Sequence, residues 1–218
     1  MDSLLQTIAL AAIPVVLAIT LHEAAHGYVA RQFGDSTAWM LGRVTLNPLK
    51  HIDPIGTVLV PLGILLLSGG GFLFGWAKPV PVNFANLRQP KRDMFWVAAA
   101  GPGVNFLMAI AWALLFGLGK SVFASSGLQY MALIGVSINV ALMVLNLLPI
   151  LPLDGGRIAV SLLPHSLAVP FARTERFGFF IVIALLVSGL LGVVLGPPVR
   201  IVTSIIEAVT GITLSGVS

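Results

Sequence analysis

The 218-residue sequence contains no cysteine and very few charged residues. The absence of cysteine excludes disulfides and thiolate metal sites, so any zinc site has to be built from His, Asp and Glu. Charged residues make up only 9% of the chain, whereas a soluble domain usually carries about 25%. Together with 57% hydrophobic residues and a mean hydropathy of +1.01, this composition predicts an integral membrane protein.

Acidic residues are scarcer than basic ones, with eight Asp and Glu against twelve Lys and Arg. In a soluble protein this balance could indicate nucleic-acid binding. Here the basic residues fall in short loops between apolar runs, where they are typical of residues that orient a protein in the bilayer. We therefore expect a lipid environment and no nucleic-acid partner.

Five uncharged or weakly charged apolar stretches predict helices in or on the membrane, at residues 4–33, 94–118, 127–153, 177–195 and 199–214. The first four are long enough to cross a bilayer, which takes about 20 residues. Pro197-Pro198 is expected to end the fourth. The last stretch is shorter and carries Arg200 and Glu207, so it predicts either a span or a surface helix.

A further apolar run, at residues 54–76, is interrupted by Pro61, Gly63 and three consecutive glycines. These interruptions predict a segment that enters the membrane and returns, and a full crossing is the alternative. The residues that follow, Lys78–Asn83, alternate like a strand, with prolines that suit a sheet edge. We expect an all-α polytopic membrane protein with about five to six transmembrane helices, a re-entrant segment and a short membrane-associated β-hairpin or strand.

The most informative stretch is His22-Glu23-Ala24-Ala25-His26, which follows an uncharged run. An ionisable residue within a membrane-spanning helix indicates a functional site. On a helix His22 and His26 share a face, where two imidazoles can bind one zinc ion while Glu23 serves as general base. The alternative is a helix that contains two histidines by chance.

A hydrolytic zinc site normally takes three protein ligands and a water, so a third ligand is expected. Asp154 is the strongest candidate because it ends a charge-free run and precedes Gly155-Gly156, which allows an irregular backbone. The alternative is an Asp-Gly turn that closes a helix. Weaker candidates are Asp2, Asp35, His51, Asp53, Asp93, His165, Glu175 and Glu207. Of these, His51 and Asp53 are expected to be interfacial residues that cap the helix that begins near Pro54; the alternative is that they support the metal ligands or gate substrate entry.

If Asp154 lies beside the two histidines, the membrane topology can also be predicted. The runs at residues 4–33 and 127–153 then end on one side, and residues 54–76 have to enter and leave the membrane on that side. The loops there hold all but two of the twelve Lys and Arg residues, the exceptions being Lys120 and Arg200. Because such a bias marks the cytoplasmic side, we expect a multi-pass protein of the cell (plasma) membrane with its site near the cytoplasmic face.

Two more patterns accompany the histidine motif: Ala100-Gly101-Pro102-x-x-Asn105, and Asn146-x-x-Pro149-x-x-x-Leu153-Asp154-Gly155-Gly156. With the motif at residues 22–26 they resemble the site-2 protease family of intramembrane zinc metalloproteases, over roughly residues 10–157. The stretch from Gly75 to Pro81 is similar to the family's membrane-associated hairpin. We expect a compact member without a PDZ-like or other appended domain.

The resemblance implies three ligands for a single Zn²⁺ ion: His22, His26 and Asp154. It implies Glu23 as the catalytic base, in agreement with the spacing argument. Asn105 and Asn146 are candidates for binding substrate or the developing oxyanion. The alternative for both is hydrogen bonding between helices, which is common for asparagine in membrane bundles.

These expectations describe one integral-membrane metalloprotease domain over residues 1–218, with a catalytic core at about 4–157 and C-terminal helices at 158–218. The expected activity is hydrolysis of peptide bonds within the transmembrane segments of protein substrates, in regulated intramembrane proteolysis. The alternatives are a divalent-metal transporter and a non-catalytic scaffold that binds membrane helices. A homo-oligomer is compatible with the sequence.

Overall fold

The structure is a computed structural model that describes residues 2–60, 63 and 77–214. In chain order its α-helices are α1 Asp2–Gln32, α2 Thr37–Met40, α3 Pro90–Ser121, α4 Ser126–Asn146, α5 Asp154–Leu162, α6 His165–Ala172, α7 Glu175–Val187 and α8 Leu190–Thr210. The connections contain 3₁₀-helices at Pro48–Lys50 and Phe84–Asn86 and a π-helix at Pro54–Leu59. The described ranges contain no strand, so they agree with the predicted all-α class.

Four helices in the described part are long and apolar enough to cross a membrane: Gln6–Gln32 within α1, together with α3, α4 and α8. The first three confirm the spans predicted from the runs at residues 4–33, 94–118 and 127–153. The expected total of about five to six spans stays a prediction. Most of the 54–76 run, with its expected re-entrant path, lies outside the described residues.

The C-terminal spans differ from the sequence-based expectation. The run at 177–195 is divided at Gly189, whose φ of 74° lies in the left-handed region that glycine adopts without strain. Helix α7 has only 13 residues, which extend about 20 Å against a hydrocarbon core of about 30 Å. Pro197-Pro198 does not end a helix but lies inside α8. A proline inside a helix removes one hydrogen bond and its ring crowds the carbonyl four residues earlier, yet α8 continues through both prolines to Thr210.

The stretch Lys78–Asn83, predicted as a strand, has no regular secondary structure and no strand partner among the described residues. Pro79 and Pro81 have no N–H to contribute to a ladder. The Val80 N–H lies between them and bonds a side chain of α1 instead. Because the prolines have no N–H and the Val80 N–H bonds Glu23, none of these three residues donates a hydrogen bond to a neighbouring strand.

Helix α3 lies at the centre of the described helices and packs against α1, α4 and α5. Its contact with α4 includes the small buried residues Ala109, Ala113 and Ala132. The Trp112 ring lies so close to Gly135 that an added Cβ would collide with it. In a bilayer, helices gain little from hydrophobic burial, and close packing of small residues provides much of the attraction. This packing fixes α3 beside the histidine motif of α1.

Candidate metal centre

His22 and His26 lie one turn apart on α1, and both rings point toward α3 and α5. Their Nε2 atoms are 3.1 Å apart. His22 is buried, and the His26 side chain is 12% exposed. The shared helical face that the spacing predicts is therefore present.

Asp154 meets both histidines from the first turn of α5. Its carboxylate oxygens lie 3.3 Å from His22 Nε2 and 3.4 Å from His26 Nε2. Helix α4 ends at Asn146, and a non-helical connection leads to Asp154. Gly155 and Gly156 lie against the main chain of that connection, and a Cβ on either would collide with it. The glycines thus permit the tight turn that brings the carboxylate to α1.

The three side chains fit a zinc ion. A tetrahedral ion with bonds of about 2.0–2.1 Å holds its ligand atoms about 3.3 Å apart, and the closest approaches here are 3.1, 3.3 and 3.4 Å. Asp154 Oδ2 is buried without a hydrogen-bond partner. Two imidazoles and one carboxylate leave a fourth position for water, as catalytic zinc sites require.

Among the described residues this is the one cluster of three His, Asp or Glu side chains close enough to share an ion. Of the weaker candidates, Asp53 accepts hydrogen bonds from Ile55 N and Gly56 N, as its predicted capping role requires. Asp93 likewise accepts from Gln89 N at the start of α3. These acidic residues serve local structure away from the cluster.

The outer nitrogens of both histidines have partners on α3. His22 Nδ1 lies 2.5 Å from Asn105 Oδ1, and His26 Nδ1 lies 2.7 Å from the Val97 carbonyl oxygen. Both partners are acceptors, so each Nδ1 carries the proton and each Nε2 has a free lone pair for the ion. The other face of each ring is close to α3, because a Cβ on Gly101 would lie 2.5 Å from His22 Cε1 and His26 Nε2. Position 101 therefore requires glycine.

The two asparagines singled out in the sequence occupy different places. Asn105 is fully buried, and its Nδ2 donates to Asn139 Oδ1 at 2.8 Å and to Ala18 O at 3.3 Å. It matches the interhelical alternative and in addition orients His22. Asn146 Nδ2 donates to Leu142 O within its own helix. A role for either residue toward a substrate stays a prediction.

The Glu23 side chain contacts the segment at residues 78–83 rather than α3. Its Oε2 accepts a 2.7 Å hydrogen bond from the Val80 N–H. Arg43 donates from Nη2 to the carbonyl oxygens of Lys78 at 2.9 Å and Pro79 at 3.3 Å. No pattern in the sequence identifies Arg43, because a single arginine in a connecting loop normally remains in water or at the membrane interface.

Asp35 holds the other end of the same segment. The carboxylate is fully buried and accepts from Asn83 N at 2.7 Å, Thr37 Oγ1 at 2.5 Å and Asn86 Nδ2 at 3.1 Å. Burial raises the pKa of the Asp35 carboxyl, but these hydrogen bonds lower it by more, so the pKa lies below its ordinary value. Asp35 is thus not a metal ligand but a buried anchor for the main chain.

Comparison with known proteins agrees with this geometry. Residues 117–189 match the model of peptidase family M50. YwhC of Bacillus subtilis, which carries the name of a zinc metalloprotease, is 39% identical over 191 residues, 85% of this chain and 83% of the relative. Rip2 of Mycolicibacterium smegmatis, named likewise, is 33% identical over 180 residues, 79% of this chain and 64% of the relative.

Rip2 of Mycobacterium tuberculosis is 33% identical over 144 residues, 64% of this chain and 52% of that relative. No solved structure matches the chain. The apolar spans, the three converging ligands and these relatives lead to one conclusion: the chain belongs to peptidase family M50, the site-2 protease family of zinc metalloproteases.

Proposed function

We propose that this zinc metalloprotease is an endopeptidase that cleaves the transmembrane segments of membrane-protein substrates. The observation that carries the proposal is the position of the metal centre. His22 and His26 belong to a candidate membrane-spanning helix, and α3, which closes one side of the centre, is another. A peptide bond reaches such a centre most directly from within the membrane.

When bound, zinc lowers the pKa of its water to about 7 and polarises the scissile carbonyl. His22, His26 and Asp154 would hold the ion, with the imidazoles oriented by Asn105 and the Val97 carbonyl. Glu23 would accept the proton of the attacking water and deliver it to the leaving amide nitrogen. A substrate helix has to unwind locally first, because a helix keeps its amides in internal hydrogen bonds.

Placement of the centre near the cytoplasmic face is part of the proposal. The last third of α1, the first half of α3 and the start of α5 come together at the metal centre. The chain therefore leaves α1 and enters α3 on the same side. This arrangement supports the topology that assigns most Lys and Arg residues to the cytoplasm. Residence in the plasma membrane and a role in regulated intramembrane proteolysis are proposed on the same basis.

The deciding experiment uses the purified protein in lipid bilayers with an intact single-pass protein as substrate. Glu23→Gln should abolish cleavage and retain zinc, because it removes the proton acceptor but no ligand. His22→Ala should lose both cleavage and zinc. Glu175→Gln is a matched control, since Glu175 on α7 is an exposed residue that forms a salt bridge with Arg157 of α5. Cleavage within the transmembrane segment by mass spectrometry would support the proposal, and full activity of Glu23→Gln would refute it.

A further inference from the structure

Residues 78–83 form a segment without regular secondary structure that touches α1 at Val80 and contacts Glu23 through one atom of its main chain. The contact is the Val80 N–H, 2.7 Å from Glu23 Oε2. Pro79 and Pro81 have no N–H, so Val80 supplies the donor between them. Their rings also restrict φ and stiffen the backbone on both sides of Val80. From residue 79 to residue 81 the segment therefore presents one donor, the Val80 N–H, in a restricted direction.

The 78–83 segment lies close to α1 because Gly27 has no side chain. A Cβ on Gly27 would lie 3.0 Å from Val80 Cγ1 and 2.7 Å from Val44 Cγ2. Gly27 is one helical turn beyond Glu23, so the same approach that seats the Val80 side chain brings the Val80 N–H to the carboxylate.

Arg43 fixes the main chain just before Val80. It is only 9% exposed, and its Nη2 donates to the carbonyl oxygens of Lys78 and Pro79. Among the described residues it forms no salt bridge, and its Nε is buried without a partner. Burial of a guanidinium without a carboxylate is costly. The burial of Arg43 is therefore better explained by its effect on the position of the main chain at residues 78 and 79 than by a gain in stability.

Asp35 fixes the opposite end through the Asn83 N–H. The segment is thus held by a buried cation at residues 78 and 79 and by a buried anion at residue 83. Charge-assisted hydrogen bonds are shorter and stronger than neutral ones, so both ends resist displacement. Val80 lies between these two anchors.

We propose that Arg43 is a positioning residue for the catalytic base. Through the 78–83 segment it holds the Val80 N–H on Glu23 Oε2, which restricts the rotation of the Glu23 carboxylate and leaves Oε1 directed for proton transfer. The inference rests on the proposed role of Glu23 as general base. A base misplaced by about 1 Å loses roughly 100-fold in rate, so removal of Arg43 should slow the chemical step.

The test measures kcat, KM and zinc content of variants in bilayers. Arg43→Ala should lower kcat by about 10- to 100-fold, with KM and zinc content as in the wild type, and Arg43→Lys should recover part of the loss. Val80→Pro, which deletes the donor itself, should reproduce the Arg43→Ala defect. Lys50→Ala is the matched control, because Lys50 is an exposed cation in the connection between α1 and α3, with no side-chain hydrogen bond or ion pair within the described ranges; it should keep kcat within about twofold.

A double-mutant cycle separates positioning from general loss of structure. In a Glu23→Asp background, whose shorter side chain cannot reach the same place, Arg43→Ala should lower kcat by much less than in the wild type. Equal losses in both backgrounds would overturn the inference. So would an increase in turnover, which would mean that the segment obstructs the site, or a rise in KM with kcat unchanged.

Hydrogen exchange tests the same inference without activity. In the wild type the Val80 amide should exchange slowly, and Arg43→Ala should accelerate it at least about tenfold. Accelerated exchange with unchanged kcat would refute positioning of the base while leaving the protease proposal intact. Absence of Glu23-dependent cleavage by the wild type would instead refute the proposed function, whatever the exchange data show.

Discussion

The helices around the metal centre and the C-terminal helices α7 and α8 are held by different contacts. Around the centre, buried polar groups bond one another across helices, as in the series His22, Asn105 and Asn139. In α8, by contrast, only 17% of the apolar window is buried, against 39% in α3. Glycines mark the same difference, because Gly101 touches both histidines whereas Gly192 faces open space.

This contrast indicates where the sequence tolerates change. In the first region each polar atom has a defined partner and each close approach depends on a missing side chain, so small substitutions should disturb function. In the second region most apolar residues lie outside the packed core, with exceptions such as Ile206, and the exposed ones can be exchanged for others of similar character. Four substitutions test the contrast.

Gly101→Ala should have the largest effect. The new methyl would lie 2.5 Å from both imidazoles, so α3 or the rings have to move, and zinc affinity should fall at least about 100-fold. Gly103→Ala on the same helix is the matched control, because nothing lies within 4 Å of its Cβ position. Competition with a chelator of known affinity measures the difference. Equal affinities would show that α3 does not define the centre.

Asn105→Ala should have the next largest effect. It leaves His22 Nδ1 without its acceptor and Asn139 Oδ1 without its donor. Loss of such a partner of a metal-ligating histidine typically costs 10- to 100-fold in metal affinity, and about that range is expected here. Asn146→Ala should keep zinc affinity, because the Asn146 amide donates only to Leu142 O in the described part of the chain. A zinc titration of both variants decides the comparison.

Asp35→Asn should lower stability at neutral pH by about 1.5–3 kcal/mol, the range for hydrogen bonds to a charged group. The pKa of Asp35 is lower in the folded protein than its ordinary value of 3.8. Its contribution is therefore complete above pH 3.8 and is lost as the pH falls through the lowered pKa. Thermal unfolding of both proteins in detergent from about pH 7 to pH 3 should show a difference that shrinks only at the acid end. A constant difference would contradict the assignment.

Gly192→Ala should have the smallest effect. Nothing lies within 4 Å of its Cβ position on α8, so the free energy of unfolding should change by no more than about 0.5 kcal/mol, with zinc affinity and cleavage unaffected. A large loss of activity would show that α8 is as sensitive to substitution as the helices around the metal centre.

The sequence predicts the metal centre well because its chemistry has few solutions. With cysteine absent, two histidines one turn apart in an apolar helix need a third ligand from His, Asp or Glu, and Asp154 alone combines a charge-free run with following glycines. The first three spans follow from hydrophobic length. Their packing depends on Gly101 and Gly135, whose close contacts are visible only after the fold is known.

Other features have no local pattern from which to predict them. The break at Gly189 lies in an apolar run where glycine is also common within transmembrane helices. The roles of Arg43 and Asp35 depend on distant parts of the chain, because their partners Lys78 and Asn83 are 35 and 48 residues away, respectively. Long-range contacts to main-chain atoms leave no trace in side-chain identity.

The absence of a side chain at Gly101 also limits the direction of approach to the protease. A helix with its side chains is about 10–12 Å across, while the gap between α3 and the two imidazoles does not accommodate even a methyl group. No polypeptide can thread between α1 and α3 at that level. A substrate therefore has to reach the metal centre from a side other than the α1–α3 interface. The helix contact that holds the ligands in place thus also restricts the direction of substrate entry.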